Sequence, residues 1–124
     1  MKLGIIGSGM IVYDLLTFID IIDEIELTAI LGRKESQEKI ETLINKHHIK
    51  NAYYDYDELL NDDEIDTIYV ALPNHLHYEY TKKALLHNKH VICEKPFTSN
   101  VNELDELIAL AKQQNCLLFE AITN

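Results

Sequence analysis

The sequence is short of three things: cysteine, positive charge and long uncharged apolar runs. Its two cysteines, Cys93 and Cys116, match no metal or redox spacing and both sit in apolar stretches. This rules out a disulfide framework and predicts free buried thiols in a reducing compartment. Eleven Lys and Arg stand against 21 Asp and Glu, a formal net charge of -10. That acidic surface disfavours the phosphate backbone of nucleic acids and anionic lipid, so partners of neither kind are expected. No uncharged stretch reaches the roughly 18 residues of a membrane-spanning helix. Gly4, Gly7 and Gly9 break the apolar start, Asp14 lies inside it, and no A-x-A-like cleavage site follows, so no secretory leader is expected. A cytoplasmic location follows as the expectation. Repeats, low-complexity tracts and linkers are missing too. With 124 residues and 47% hydrophobic content, the chain is expected to form one domain, 1–124, with a real core.

What is present is an alternation. Short β-rich runs are expected as strands at residues 2–6, 26–31, 51–54, 66–72, 90–93 and 116–122. Between them, apolar residues recur at three- and four-residue steps: Ile11, Leu15, Phe18, Ile19 and Ile22; then Leu76, Tyr80 and Ala84; then Val101, Leu104, Ile108 and Ala111. Each set is expected to form one helix face. Asn100 with Glu103 three residues on resembles a capping box, and Asn88 can take the left-handed conformation that closes a helix. Strands alternating with helices imply an α/β fold, a doubly wound parallel sheet of the Rossmann kind. Right-handed crossovers then favour the strand order 3-2-1-4-5-6, with a ligand cleft at the carboxyl ends of the strands.

Motifs at strand ends therefore carry the chemistry. "GIIGSGMIV" places Gly7, Ser8 and Gly9 directly after the first strand. Gly7 permits a tight turn, and Gly9 lets the backbone approach a pyrophosphate. The free amides of the helix start, through Met10 and Ile11, can then donate to that group. The third position of the dinucleotide fingerprint is Val12 rather than Gly or Ala, so the same glycines also fit a plain strand-to-helix turn. At the end of the second strand, "AILGRKES" has Gly32 where an NAD-preferring site carries an acid, followed by Arg33 and Lys34. A guanidinium can clamp a 2′-phosphate through two parallel charge-assisted bonds, and Ser36 can add a hydroxyl, which favours NADP over NAD. Solvated charges at a helix start are the other reading of Arg33 and Lys34.

"GIIGSGMI", "ALPNHLHYEYTKKAL" and "HVICEKPF", at these separations, resemble the dinucleotide-binding half of the Gfo/Idh/MocA oxidoreductases. The most specific element is Glu94, Lys95 and Pro96 after the fifth strand, supported by Pro73, Asn74 and His77 after the fourth. The resemblance implies hydride transfer between NADP or NAD and a sugar, polyol or related small carbonyl or alcohol. It implies that Leu72, Pro73 and Asn74 lie under the ribose and nicotinamide and that His77 helps hold the nicotinamide end. An exposed first-turn histidine without a role is the other reading of His77. Asn74 can also cap the following helix. In an extended segment, neighbouring side chains point to opposite sides, so Glu94 can face the ribose while Lys95 faces the substrate. Lys95 is the candidate catalytic residue, stabilising negative charge on the reacting oxygen. His75 and His77 lie two apart with no matching third ligand, so no metal is expected.

The resemblance further implies a second, substrate-carrying domain absent from this chain, with "FEAITN" as the crossing and Glu120 near the substrate side. The domain alone is then expected to bind cofactor but to turn over poorly, and the full-length parent to be a homo-oligomer through the missing domain. An exposed apolar patch is the expected result on this chain. A non-catalytic dinucleotide-binding or redox-sensing module is the competing function. A methyltransferase-type domain is disfavoured, because it would want an acid where Gly32 stands.

Overall fold

Three of the six described strands bury every residue, or every residue after the first, the signature of a sheet covered on both faces. The computed structural model describes residues 1–7, 25–94 and 100–121, with Glu94, Glu120 and Ala121 by backbone only. The strands are β1 (Lys2–Ile6), β2 (Glu26–Leu31), β3 (Asn51–Tyr53), β4 (Thr67–Val70), β5 (His90–Glu94) and β6 (Leu118–Ala121). They form one sheet in the order β3-β2-β1-β4-β5-β6, every described pairing parallel, as the alternation predicts. The helices are α1 (Gln37–His47), α2 (Tyr56–Leu60), α3 (His77–Leu86) and α4 (Val101–Gln113). The apolar face expected over Ile11 to Ile22 lies outside the described residues.

Two cores sandwich the sheet. Leu3 and Ile5 of β1 join Ile40 and Leu43 of α1 on one face. Ile6 joins Ile68 and Val70 of β4, Ala84 and Leu85 of α3 and Leu107 of α4 on the other. In β2 the alternation breaks, because Leu27 and Ile30, three apart, share the α1 face. The cause is a register shift: Leu3 pairs with Leu27 but Gly4 with Ala29, leaving Thr28 as the extra residue of a bulge.

Helix ends follow local chemistry. Asn100 Oδ1 accepts from the Asn102 and Glu103 amides at 2.8 and 3.3 Å. Asn88 takes φ 61°, and His48, at φ 55°, closes α1 in the same way. The stripes of the last two helices differ from the sequence expectation. α3 buries His77, Thr81, Ala84 and Leu85, with Tyr80 only partly covered. α4 buries Leu107 and Ala111, while Val101 is 72% and Ile108 41% exposed. α4 packs on α3 beside the edge strand β6, so only a narrow stripe of it meets the sheet core. Cys93 is buried, but Cys116 is only half-buried, which corrects the expectation of two buried thiols.

Candidate functional site

The carboxyl ends of β1, β2 and β4 converge because each strand's exit is tied to its neighbour. The Gly7 amide donates to the Leu31 carbonyl, the Gly32 amide to Tyr53, and the Ala71 amide to Ile6, each at 3.0 Å. Gly7 holds φ 121°, a backbone state that side-chain-bearing residues rarely adopt, so the turn after β1 requires glycine. Above these ends opens a cleft of about 480 Å³.

Five sequence-predicted residues line it: Gly7, Gly32, Arg33, Leu72 and Pro73, together with Ser36. Arg33 is exposed in extended backbone (φ -91°, ψ 150°), and its guanidinium has no partner among the described residues. Lys34, one residue on, is exposed and does not line the cleft. Gly32 has a second constraint besides the site: a Cβ built there would lie 2.5 Å from Ile40 Cδ1 and 2.8 Å from Cγ1.

The turn after β4 differs in detail from expectation. Asn74 is exposed, opens a single 3-10 turn and does not line the cleft. It does not cap α3, because the turn pushes the helix start to His77 and leaves Leu76 at the cap position, with no side-chain cap bond. His77 is not an exposed first-turn histidine. It is 1% exposed, and its Nε2 lies 2.6 Å from the Leu72 carbonyl oxygen. A carbonyl only accepts, so Nε2 carries the proton, and the ring braces the backbone of a cleft-lining residue. Glu94 ends β5, its backbone paired with Ala121. Ser8, Gly9, Met10, Ile11 and Lys95 lie outside the described residues.

One wall was not anticipated. Tyr54, Tyr56 and Tyr80 line the cleft beside Leu76. The Tyr56 and Tyr80 rings lie 4.7 Å apart, tilted by 32°, and the Tyr56 hydroxyl donates to the Tyr80 carbonyl at 2.8 Å. Burial pushes the Tyr56 hydroxyl pKa up, and burial with the Glu41 carboxylate raises that of Tyr54, so both stay neutral donors. The signal was present as the tyrosine-rich run "YYDY", residues 53–56, but Tyr80 joins it only through the packing of α3. The arrangement offers an apolar and aromatic floor, a glycine turn and, at the lip, the exposed Arg33 cation. Those are the parts that a phosphorylated, aromatic ligand needs. Among the described residues, no group of three or more His, Cys, Asp or Glu could hold a metal, and no helix is long and apolar enough to cross a membrane.

Comparison with known proteins points the same way. The profile of the oxidoreductase family Gfo/Idh/MocA, NAD-binding Rossmann fold, matches residues 1–122. Scyllo-inositol 2-dehydrogenase (NADP(+)) IolU of Bacillus subtilis is 37% identical over 121 residues, covering 98% of this chain and 36% of that protein. Trans-1,2-dihydrobenzene-1,2-diol dehydrogenase of Xenopus tropicalis is 32% identical over 120 residues, covering 97% of this chain and 36% of that protein. Among solved structures, KijD10, a 3-ketoreductase from Actinomadura kijaniata in complex with NADP and TDP-benzene, superposes with a TM-score of 0.89 at 30% identity. The match covers 97% of this chain and 36% of KijD10. The chain thus spans about a third of the length of these relatives.

Proposed function

The chain belongs to the Gfo/Idh/MocA oxidoreductase family over its NAD-binding Rossmann fold, and from that premise we propose that it serves hydride transfer between NADP(H), in preference to NAD(H), and a small carbonyl or alcohol such as a sugar or polyol. One observation carries the cofactor reading. The cleft at the ends of β1, β2 and β4 joins a glycine turn at φ 121° to a guanidinium without a partner among the described residues, with no side chain at position 32 to repel a phosphate. The names of the Bacillus subtilis dehydrogenase and the KijD10 complex, both with NADP, support it.

When bound, the nicotinamide supplies the carbon that accepts or gives the hydride. The chain's own residues bind and orient. The amides from Gly7 through Ser8, Gly9, Met10 and Ile11 would hold the pyrophosphate, with Arg33, Lys34 and the Ser36 hydroxyl at the 2′-phosphate. Leu72, Pro73 and Asn74 would form the floor under ribose and nicotinamide, with His77 keeping the Leu72 carbonyl in place. Glu94 would accept from ribose hydroxyls, and Lys95 would hold its Nζ proton toward the substrate oxygen, stabilising charge that develops there. Further substrate-holding groups and the subunit contact are proposed to lie in the sequence that the relatives carry beyond the matched span.

The test is titration with NADPH and NADH by nicotinamide fluorescence. Arg33→Ala should weaken NADPH by roughly tenfold or more, the loss of a charge-assisted hydrogen bond, and leave NADH nearly unchanged. Equal weak binding of both before and after the substitution would remove the NADP argument. Binding without turnover of any polyol by the parent protein would favour a non-catalytic sensing module instead.

A further inference from the structure

We propose that Ile40, a core residue of α1 that faces no ligand, sets the cofactor choice by closing position 32 to any side chain. The inference rests on the NADP reading above and explains what holds it in place. In doubly wound sites that prefer the unphosphorylated ribose, a carboxylate at the end of the second strand accepts from its hydroxyls. That position here is Gly32. A Cβ on Gly32 would sit 2.5 Å from Ile40 Cδ1 and 2.8 Å from Cγ1, well inside van der Waals contact. For any side chain to fit, either Ile40 or the Gly32 backbone must shift. Ile40 is 0% exposed and packed with Leu3, Ile5, Ile30 and Leu43, while the Gly32 backbone is tied by its amide to the Tyr53 carbonyl at 3.0 Å. The space in which an acidic side chain must begin is thus already filled from the core side. Arg33 attracts the extra phosphate from outside, and Ile40 denies the competing acid from inside. Ile40 acts through Gly32, so it is a positioning residue rather than a contact.

The experiment is a double-substitution cycle on the purified protein with Gly32→Asp, Ile40→Ala and the pair combined, read by melting temperature and by the NADPH and NADH dissociation constants. Ile40→Ala removes both colliding atoms. Gly32→Asp alone should lower the melting temperature and gain no NADH affinity. The combined variant should melt above the value expected from adding the two single effects. Its NADH-to-NADPH affinity ratio should rise about tenfold over that of Ile40→Ala, the worth of one charged hydrogen bond. A merely structural Ile40 would move the melting temperature but not this ratio. Gly32→Asp that melts like the wild type and gains NADH by itself would overturn the proposal, as would additive melting temperatures in the cycle. If the wild type binds neither dinucleotide, the cofactor reading fails and the selectivity claim with it, whereas additive melting overturns the steric pairing on its own.

Discussion

The two flanks of the sheet are finished differently. Beside β2 and β3, α1 seats Ile40 and Leu43 completely in the core, and its polar residues other than His47 are exposed. Beside β5 and β6, α4 seats only Leu107 and Ala111, while Val101, Ile108, Leu117 and Phe119 remain exposed. α4 carries seven apolar residues among its thirteen against three of eleven in α1, yet each helix buries only two of them. The difference shows that a three- and four-residue period marks a helix without marking which of its apolar residues meets the core. That depends on how far the sheet extends beneath it.

The sharpest way to break the comparison is to cut each flank in turn. Leu43→Ala on the α1 side should cost about 2–5 kcal/mol, the loss of a fully buried leucine plus its cavity, measured by urea unfolding. On the other flank, Asn100→Ala removes the cap of α4 and should cost about 1 kcal/mol in the same assay. A pH series probes the α1 side more gently. The Tyr53 hydroxyl donates to Asp62 Oδ2 at 2.6 Å, and that bond, with burial, holds the Tyr53 pKa up at about 12 against an ordinary 10.0. The folded state keeps the proton longer, so this contribution is complete below the ordinary value and is lost as pH rises from 10.0 through about 12. Asp62 mirrors it. Its pKa is lowered chiefly by the same bond, so its contribution is present above the ordinary 3.8 and fades as pH falls through the folded value. Tyr53→Phe should flatten both limbs of stability against pH. Smallest of all, Val101→Ser should change stability by no more than about 0.5 kcal/mol, as at exposed sites generally. A loss of a kilocalorie or more there would mean the α4 flank is covered in solution.

Legibility in the sequence divided along the same physical line. Strand positions and order were readable because runs such as "KLGII" and "ELTAIL" are local, and crossover handedness limits the rest. Asn88 and Asn100 were readable for the same reason. The bulge at Thr28 was not, because it exists only in the pairing with β1. α2, five residues long, is too short to show a period. α1 carries its signal at Ile40, Leu43, Ile44 and His47, but charged residues dilute it. Within the site, Gly7, Gly32 and Arg33 are marked by residue type alone. The bracing role of His77 depends on the Leu72 carbonyl that the turn presents to it, and the tyrosine wall depends on α3 meeting the start of α2.

The position of β1 has a consequence for how the chain assembles. It precedes both of its hydrogen-bonding neighbours, β2 and β4, and lies between them. A nascent chain can cover Leu3 and Ile5 once α1 has emerged, but it must carry Ile6 without Ile68 and Val70 until residues 67–70 have left the ribosome. Such long-range parallel closure is slow and leaves sticky intermediates, so aggregation during synthesis should depend on the interval before β4 emerges more than on the final strength of the fold.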